Sequence, residues 1–232
     1  MALRSYETLF FDLDHTLWDF HTNSTTVLKE IFTETGLHLK GLEFEEFYTV
    51  YNRVNDQKWA LYREGKIDKY RLRKERFADT LAHFQIQEVH LGNYFEQQYV
   101  ERSPQQTALM PGALEALNYL YEKYQLAIIT NGFTSVQLVK LKSSGLDKYF
   151  KEIVTSEMAG ANKPEAKIFV TALKKTQSKR EETIMIGDHL EADIAGARNV
   201  GIDQIWYNPE GQKSDVKPTY EIDNLTALIS LL

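Results

Sequence analysis

The sequence predicts an α/β protein in which a parallel sheet, covered by helices on both faces, is interrupted after its first strand by an all-α insertion. Three observations predict it. A short, wholly apolar run, Leu9-Phe10-Phe11, meets two carboxylates at Asp12 and Asp14. From about Thr22 to Arg102 apolar residues recur with helical spacing and no convincing strand intervenes. After Pro104 short apolar runs and helical patterns alternate, as they do where parallel strands are joined by crossover helices.

Leu9 to Phe11 reads as a strand buried on both faces, since such strands show no polar alternation. Asp12, Asp14 and Thr16 follow at every second position. A charge is costly to bury without a partner. A buried strand ending in Asp-x-Asp therefore points to a cation at its carboxyl end, where open α/β sheets place their ligands. The same residues also read as an acidic capping turn, with Asp14 or Thr16 as N-cap. In the insertion, Val27, Leu28, Ile31 and Phe32 form one helical face, closed by Gly36. Phe44, Phe47, Tyr48, Tyr51, Val54, Leu61 and Tyr62 form a second, with Gly65 near its end. Asp68 is placed to N-cap a third helix carrying Leu72, Phe77, Leu81 and Phe84, and a fourth holds Val89, Tyr94, Phe95 and Tyr99. Aromatic stripes at this spacing are packing surfaces, so the insertion reads as a small helical bundle.

The core resumes with a helix after Met110-Pro111-Gly112, with Leu114, Leu117, Leu120 and Tyr121 inward. Leu126 to Ile129 is a strand ending in Thr130-Asn131-Gly132, followed by a helix through Val136, Val139 and Leu141 that Gly145 terminates. Ile153-Val154 is a weak strand, and Pro164 opens a helix through Ile168, Phe169 and Leu173, as proline favours the first helical position. Thr183 to Ile186 is a strand ending in Gly187-Asp188, Ile194 to Val200 a helix, and Gln204 to Tyr207 a strand. A polar loop from Pro209 to Pro218 precedes a last short element near Tyr220 to Ile222.

The 232 residues accommodate one large domain or a core with an insert. With 27 basic against 33 acidic residues the net charge of −6 argues against a nucleic-acid polymer or an anionic membrane as partner. The absence of cysteine excludes disulfides, thiol catalysis and cysteine-ligated metals. No signal-peptide pattern opens the chain and no apolar stretch approaches membrane-spanning length, so a cytoplasmic protein is expected, monomeric or weakly homo-oligomeric.

Four strand ends now offer polar groups: Asp12 and Asp14; Thr130 and Asn131; Lys163, after the weak strand; and Asp188 with Asp193. Carboxylates without cysteine, and without paired histidines at ligand spacing, suit Mg²⁺ rather than zinc. A lysine beside them would neutralise a carboxylate or bind an anion. The set meets what phosphoryl transfer asks for: cations for the spread negative charge, a nucleophile in line, and donors for equatorial oxygens. Carboxylate nucleophiles form aspartyl-phosphates. Each residue also has an ordinary reading. Lys163 could be a solvated loop lysine, Asp188 an N-cap, Asp193 a helix-surface charge, and Trp18 and Asp19 hinge packing. His15 and His189 adjoin the set without a required role.

In this order Asp12-Leu13-Asp14-His15-Thr16-Leu17, Thr130, Lys163-Pro164, and Gly187-Asp188 with Asp193 resemble the four motifs of the haloacid dehalogenase (HAD) superfamily. The resemblance implies a Rossmann-like HAD core over residues 1–18 and 105–232, with an inserted all-α cap domain over 19–104. It implies Asp12 as nucleophile and Asp14 as the acid that protonates the leaving oxygen and later activates water. Thr130, Asn131 and Lys163 would hold the phosphoryl group. Mg²⁺ would be held by Asp12, the backbone carbonyl of Asp14, and Asp188, with Asp193 direct or behind them. Phe11 to Phe20, Ile129 to Ser135 and Gly145 to Phe150 further resemble the HAD pyrimidine 5′-nucleotidases that clear noncanonical nucleotides. The cap fits that subgroup around Trp59 and Gly65, and Asn55 and Trp59 are the substrate-facing cap residues it implies.

The expected activity is Mg²⁺-dependent hydrolysis of a small phosphorylated metabolite, a nucleoside 5′-monophosphate with pyrimidine preferred. The alternatives are another small phosphate (sugar phosphate, phosphoglycolate, pyrophosphate), a phosphomutase, or a 2-haloacid dehalogenase. The dehalogenase branch generally lacks the second aspartate of the first motif, so Asp14 favours phosphate chemistry. A binding protein on the same fold would not need every motif residue.

Overall fold

The computed structural model describes residues 5–232. The first four residues, which open the expected core segment, lie outside the described residues. Strand β1 (Thr8–Phe11) is buried along its whole length. Its side chains alternate between two cores: Leu9 and Phe11 enter one, Phe10 the other. That is what an uninterrupted apolar strand is for, since successive side chains point to opposite faces of a sheet.

The chain then forms α1 (Phe20–Glu34), α2 (Phe44–Arg63), α3 (Lys69–His83) and α4 (Val89–Arg102). Gly36 follows α1 with φ of 67°, a left-handed conformation that suits a helix terminator. Asp68 caps α3 by accepting from the Arg71 N–H at 2.8 Å. Val27, Leu28, Ile31, Phe32, Phe47, Tyr51, Phe77 and Phe95 are among the side chains of one buried cluster. Val89 and Tyr94, expected inward, are exposed. The inner stripe of α4 runs through Leu91, Phe95 and Tyr99 instead, and the Tyr94 hydroxyl donates to Glu34 at 3.0 Å.

Next come α5 (Ala113–Leu120), β2 (Gln125–Thr130), α6 (Thr134–Ser143), β3 (Glu152–Thr155), α7 (Ser156–Ala159) and α8 (Ala166–Thr176). They are followed by β4 (Thr183–Gly187), a π-helical turn (Leu190–Ala195), α9 (Gly196–Asn199), β5 (Asp203–Tyr207), β6 (Tyr220–Ile222) and α10 (Ala227–Leu231). The strands form one parallel sheet in the order β3-β2-β1-β4-β5-β6. Phe11 pairs with Ile128 on one side and Ile186 on the other. Strand order reverses direction at β1, so the carboxyl end of β1 is the topological switch point where such sheets bind ligands.

Three expectations are corrected. The buried side of α5 is Ala113, Ala116, Leu117 and Leu120, while Leu114 and Tyr121 are exposed. The small alanines, not the largest apolar side chains, complete the i, i+3, i+4, i+7 face. Pro164 does not open α8. Residues 162–165 close a turn, with the Glu165 N–H donating to the Asn162 carbonyl at 2.8 Å and a cis Lys163–Pro164 peptide, and the helix starts at Ala166. The element expected over Ile194 to Val200 starts earlier, as the π-helical turn at Leu190.

The chain divides into two compact units, Met1–Phe20 with Thr107–Leu232 and His21–Gln106. In the first, α5 and α10 pack with Leu9, Phe11, Ile128 and Ile186, and α8 and α9 with Phe10, Ile129 and Met185. Among the described residues no helix is long and apolar enough to cross a membrane.

Candidate active site

The sheet delivers Asp12 to the position one residue past β1, its N–H donating to the Ile186 carbonyl of β4 at 2.9 Å. Its carboxylate is buried and accepts from Lys163 Nζ at 2.5 Å. The same ammonium donates to the Ile129 carbonyl at the end of β2 at 2.8 Å and lies 2.6 Å from Asp193 Oδ1. Two of its three protons are thus committed to hydrogen bonds, while Asp193 Oδ1 is an ion-pair partner without one. Burial acts to lower Lys163, but Asp12 and Asp193 outweigh it and hold the ammonium above the ordinary lysine value. Lys163 is 2% exposed, which removes the solvated-loop reading.

Asp193 has no exposed surface, which removes the surface-charge reading. The π-helical turn points it back at the sheet, where its Oδ2 accepts from the His189 N–H at 3.1 Å. A Cβ on Gly187 would stand 2.3 Å from that Oδ2, so the last residue of β4 has to be glycine for the carboxylate to come this close. Asp188 Oδ1 accepts from the Thr16 hydroxyl at 2.8 Å, and the Asp188 N–H donates back to that hydroxyl at 3.1 Å. Thr16 thus joins the first and fourth motif loops rather than capping a helix.

Asp12, Asp188 and Asp193 bring one oxygen each within 4.8 Å of one another. Burial pushes Asp12 well above the usual carboxylate range, and Asp193 and Asp188 push it further against the pull of Lys163. Burial, then the Asp193 charge, likewise raises Asp188. Three carboxylates against one ammonium leave unbalanced negative charge. An all-oxygen donor set of this kind fits Mg²⁺.

Asp14 differs. Its Oδ1 accepts from Lys140 Nζ at 2.5 Å and its Oδ2 from Gln137 Nε2 at 2.9 Å. Burial acts to raise it, but Lys140 and Gln137 prevail and hold it below the usual carboxylate value. Gln137 Nε2 also donates to Thr130 Oγ1 at 2.7 Å, and the Gly132 N–H donates to the same oxygen at 3.0 Å. A hydroxyl has two acceptor lone pairs and one proton, so both lone pairs of Thr130 are used and its proton is left to donate. Gln137 and Lys140 were not expected from the sequence, which traced this helix by Val136, Val139 and Leu141. Val139 is exposed and Val136 half-buried. The missed signal is the spacing of Gln137, Lys140 and Leu141, which share one helix face.

Asn131, expected among the phosphate ligands, commits its side chain to the backbone of Lys163. Oδ1 accepts the Lys163 N–H at 2.7 Å and Nδ2 donates to the Lys163 carbonyl at 3.0 Å. Both polar atoms of its side chain are thus engaged within the protein. Asn55 and Trp59 lie in the helical unit. Asn55 is buried and its Oδ1 accepts from Arg76 at 3.2 Å, while Trp59 is half-buried and stands edge-on to Tyr62 at 5.6 Å.

Most of the chain is similar to known proteins. The family model of haloacid dehalogenase-like hydrolases matches residues 6–201. The chain is 34% identical to the pyrimidine 5′-nucleotidase PynA of Streptococcus pneumoniae, over 98% of this chain and 95% of that one. It is 31% identical to the pyrimidine 5′-nucleotidase YjjG of Escherichia coli, over 98% of each. The crystal structure of the HAD-hydrolase YfnB of Bacillus subtilis, bound to magnesium, superposes with a TM-score of 0.89 at 31% identity, covering 98% of both chains.

Proposed function

The chain belongs to the haloacid dehalogenase-like hydrolases, and on that premise we propose that it is a Mg²⁺-dependent phosphohydrolase of nucleoside 5′-monophosphates, pyrimidine before purine. The observation that carries the reading is the buried Asp12–Lys163–Asp193 group with Asp188 beside it. Asp12, Asp188, Asp193 and the backbone carbonyl of Asp14 would hold the ion, which when bound neutralises charge on the phosphoryl oxygens. Lys163, the Thr130 hydroxyl proton and the Asn131 N–H are the protein's donors to those oxygens.

In the first half, an Asp12 oxygen attacks phosphorus, the bond from phosphorus to the leaving oxygen breaks, and Asp14 gives that oxygen a proton. In the second, water attacks the aspartyl-phosphate, Asp14 takes its proton, inorganic phosphate leaves and the Asp12 carboxylate is restored. The ionised form of Asp14 favoured by Lys140 and Gln137 is the form the second half needs. These core residues read only the phosphoryl group, so choice of base is assigned to residues outside them. Asn55 and Trp59 are the sequence-based candidates, and similarity to two pyrimidine 5′-nucleotidases supports the base preference.

The test is phosphate release from deoxyuridine, thymidine and adenosine monophosphates beside glucose, glycerol and phosphoglycolate esters, with Mg²⁺ and with a chelator. A pyrimidine nucleotide should give the highest kcat/KM, and chelation should abolish turnover. A sugar phosphate that exceeds every nucleotide by tenfold, ~1.4 kcal/mol in the transition state, would overturn the nucleotide preference and leave the phosphohydrolase.

A further inference from the structure

Packing alone does not account for the inner face of α6. Gln137 is fully buried and Lys140 is 5% exposed, although an apolar pair would fill the same space without the cost of taking an amide and an ammonium out of water. What both groups reach is one carboxylate. Lys140 takes Asp14 Oδ1 at 2.5 Å and Gln137 takes Oδ2 at 2.9 Å.

Each part of this clamp is fixed independently. Lys140 Nζ also lies 4.3 Å from the centre of the Trp18 ring and 5.5 Å from that of Phe20, so aromatic faces hold the ammonium from another side. Gln137 is fixed by its second donation, to Thr130 Oγ1 at 2.7 Å, and by the absence of a side chain at Gly132, where a Cβ would stand 2.4 Å from it. The Asp14 backbone is set by a tight turn, with the His15 N–H on the Trp18 carbonyl at 3.0 Å and the Trp18 N–H on the Leu13 carbonyl at 2.9 Å.

We propose that Gln137 and Lys140 are positioning residues that hold the Asp14 carboxylate by both oxygens for the proton it gives the leaving oxygen and then takes from the attacking water. The inference rests on the phosphohydrolase reading above. The same two donors hold the same two oxygens whichever way the proton then moves, so the clamp bears on both halves.

The experiment is pre-steady-state and steady-state kinetics of Lys140→Met, Lys140→Arg and Gln137→Leu with p-nitrophenyl phosphate and glycerol phosphate. If the clamp positions Asp14, Lys140→Met still cleaves p-nitrophenyl phosphate, whose leaving group needs little protonation, but hydrolyses the aspartyl-phosphate slowly, so it releases a burst of about one nitrophenolate per enzyme. Its steady-state kcat then falls on the order of 10- to 100-fold for p-nitrophenyl phosphate, and at least as far for glycerol phosphate, whose leaving oxygen also needs the proton of Asp14. Lys140→Arg recovers most of the rate. Gln137→Leu, which keeps the buried volume, gives the same burst with a smaller loss and serves should Lys140→Met fail to fold. A loss confined to glycerol phosphate without a burst places the clamp in ester cleavage alone and overturns the proposal, as does an unchanged rate in folded variants. A wild-type protein that hydrolyses neither these esters nor any nucleotide overturns the phosphohydrolase reading instead.

Discussion

Lys163 and Lys140 are both buried ammonium groups 2.5 Å from an aspartate, yet their surroundings balance differently. Lys140 meets one carboxylate, an amide-bound one, and the face of Trp18. Lys163 meets two carboxylates, with a third among the same group of acids. The consequence appears in the aspartates. Asp14, in the balanced pair, is held below the ordinary carboxylate value, and Asp12, in the unbalanced group, is pushed well above it. A lysine beside an aspartate therefore says little by itself. The count of like charges behind it separates a self-sufficient pair from a group that a divalent cation would complete.

The strongest way to break the comparison is to remove the carboxylate at the centre of the unbalanced group. Asp12→Asn should cut phosphate release on the order of 10⁴-fold or more while circular dichroism stays that of the wild type. Turnover within tenfold of wild type in a clean preparation would remove Asp12 from the mechanism. The lysines come next. Lys163→Met strands carboxylates in the interior and should cost about 3–5 kcal/mol of stability in chelator, and Mg²⁺ should then raise its melting temperature more than it raises the wild type's. Lys140→Met should show no such enlarged response. Equal responses in the two variants would mean that the groups are electrostatically alike. The smallest effect should come from a site remote from both chemistries: Asp68→Ala removes the cap of α3 and should cost ~1 kcal/mol with kcat unchanged.

Much of the site was legible in the sequence, for one physical reason. Charged residues at the carboxyl ends of apolar strands contradict the local hydrophobic pattern, and Asp12 and Asp188 stand out on that account. Lys163 and Asp193 were not legible from their neighbours alone, because each has an ordinary surface reading. They were carried by the order of the four motifs. Gln137 and Lys140 were missed because helix faces are assigned by apolar residues, and the functional face of α6 is polar. The same rule put Leu114 and Tyr121 inward in α5, where small alanines face the sheet. The short closing helix α10 had no pattern long enough to declare itself before its packing against α5 was seen.

The pair of hydrogen bonds from the Asn131 amide to the Lys163 backbone has a consequence for recognition. Lysine gives up ~1.5–2 kcal/mol of side-chain freedom when it is immobilised. Here that freedom is spent during folding: Asn131 pins the main chain, while Asp12, Asp193 and the Ile129 carbonyl pin the ammonium. On the proposed reading an arriving anion would meet a cation already standing still, so its own size and shape, rather than the adaptability of the lysine, would decide how well it fits.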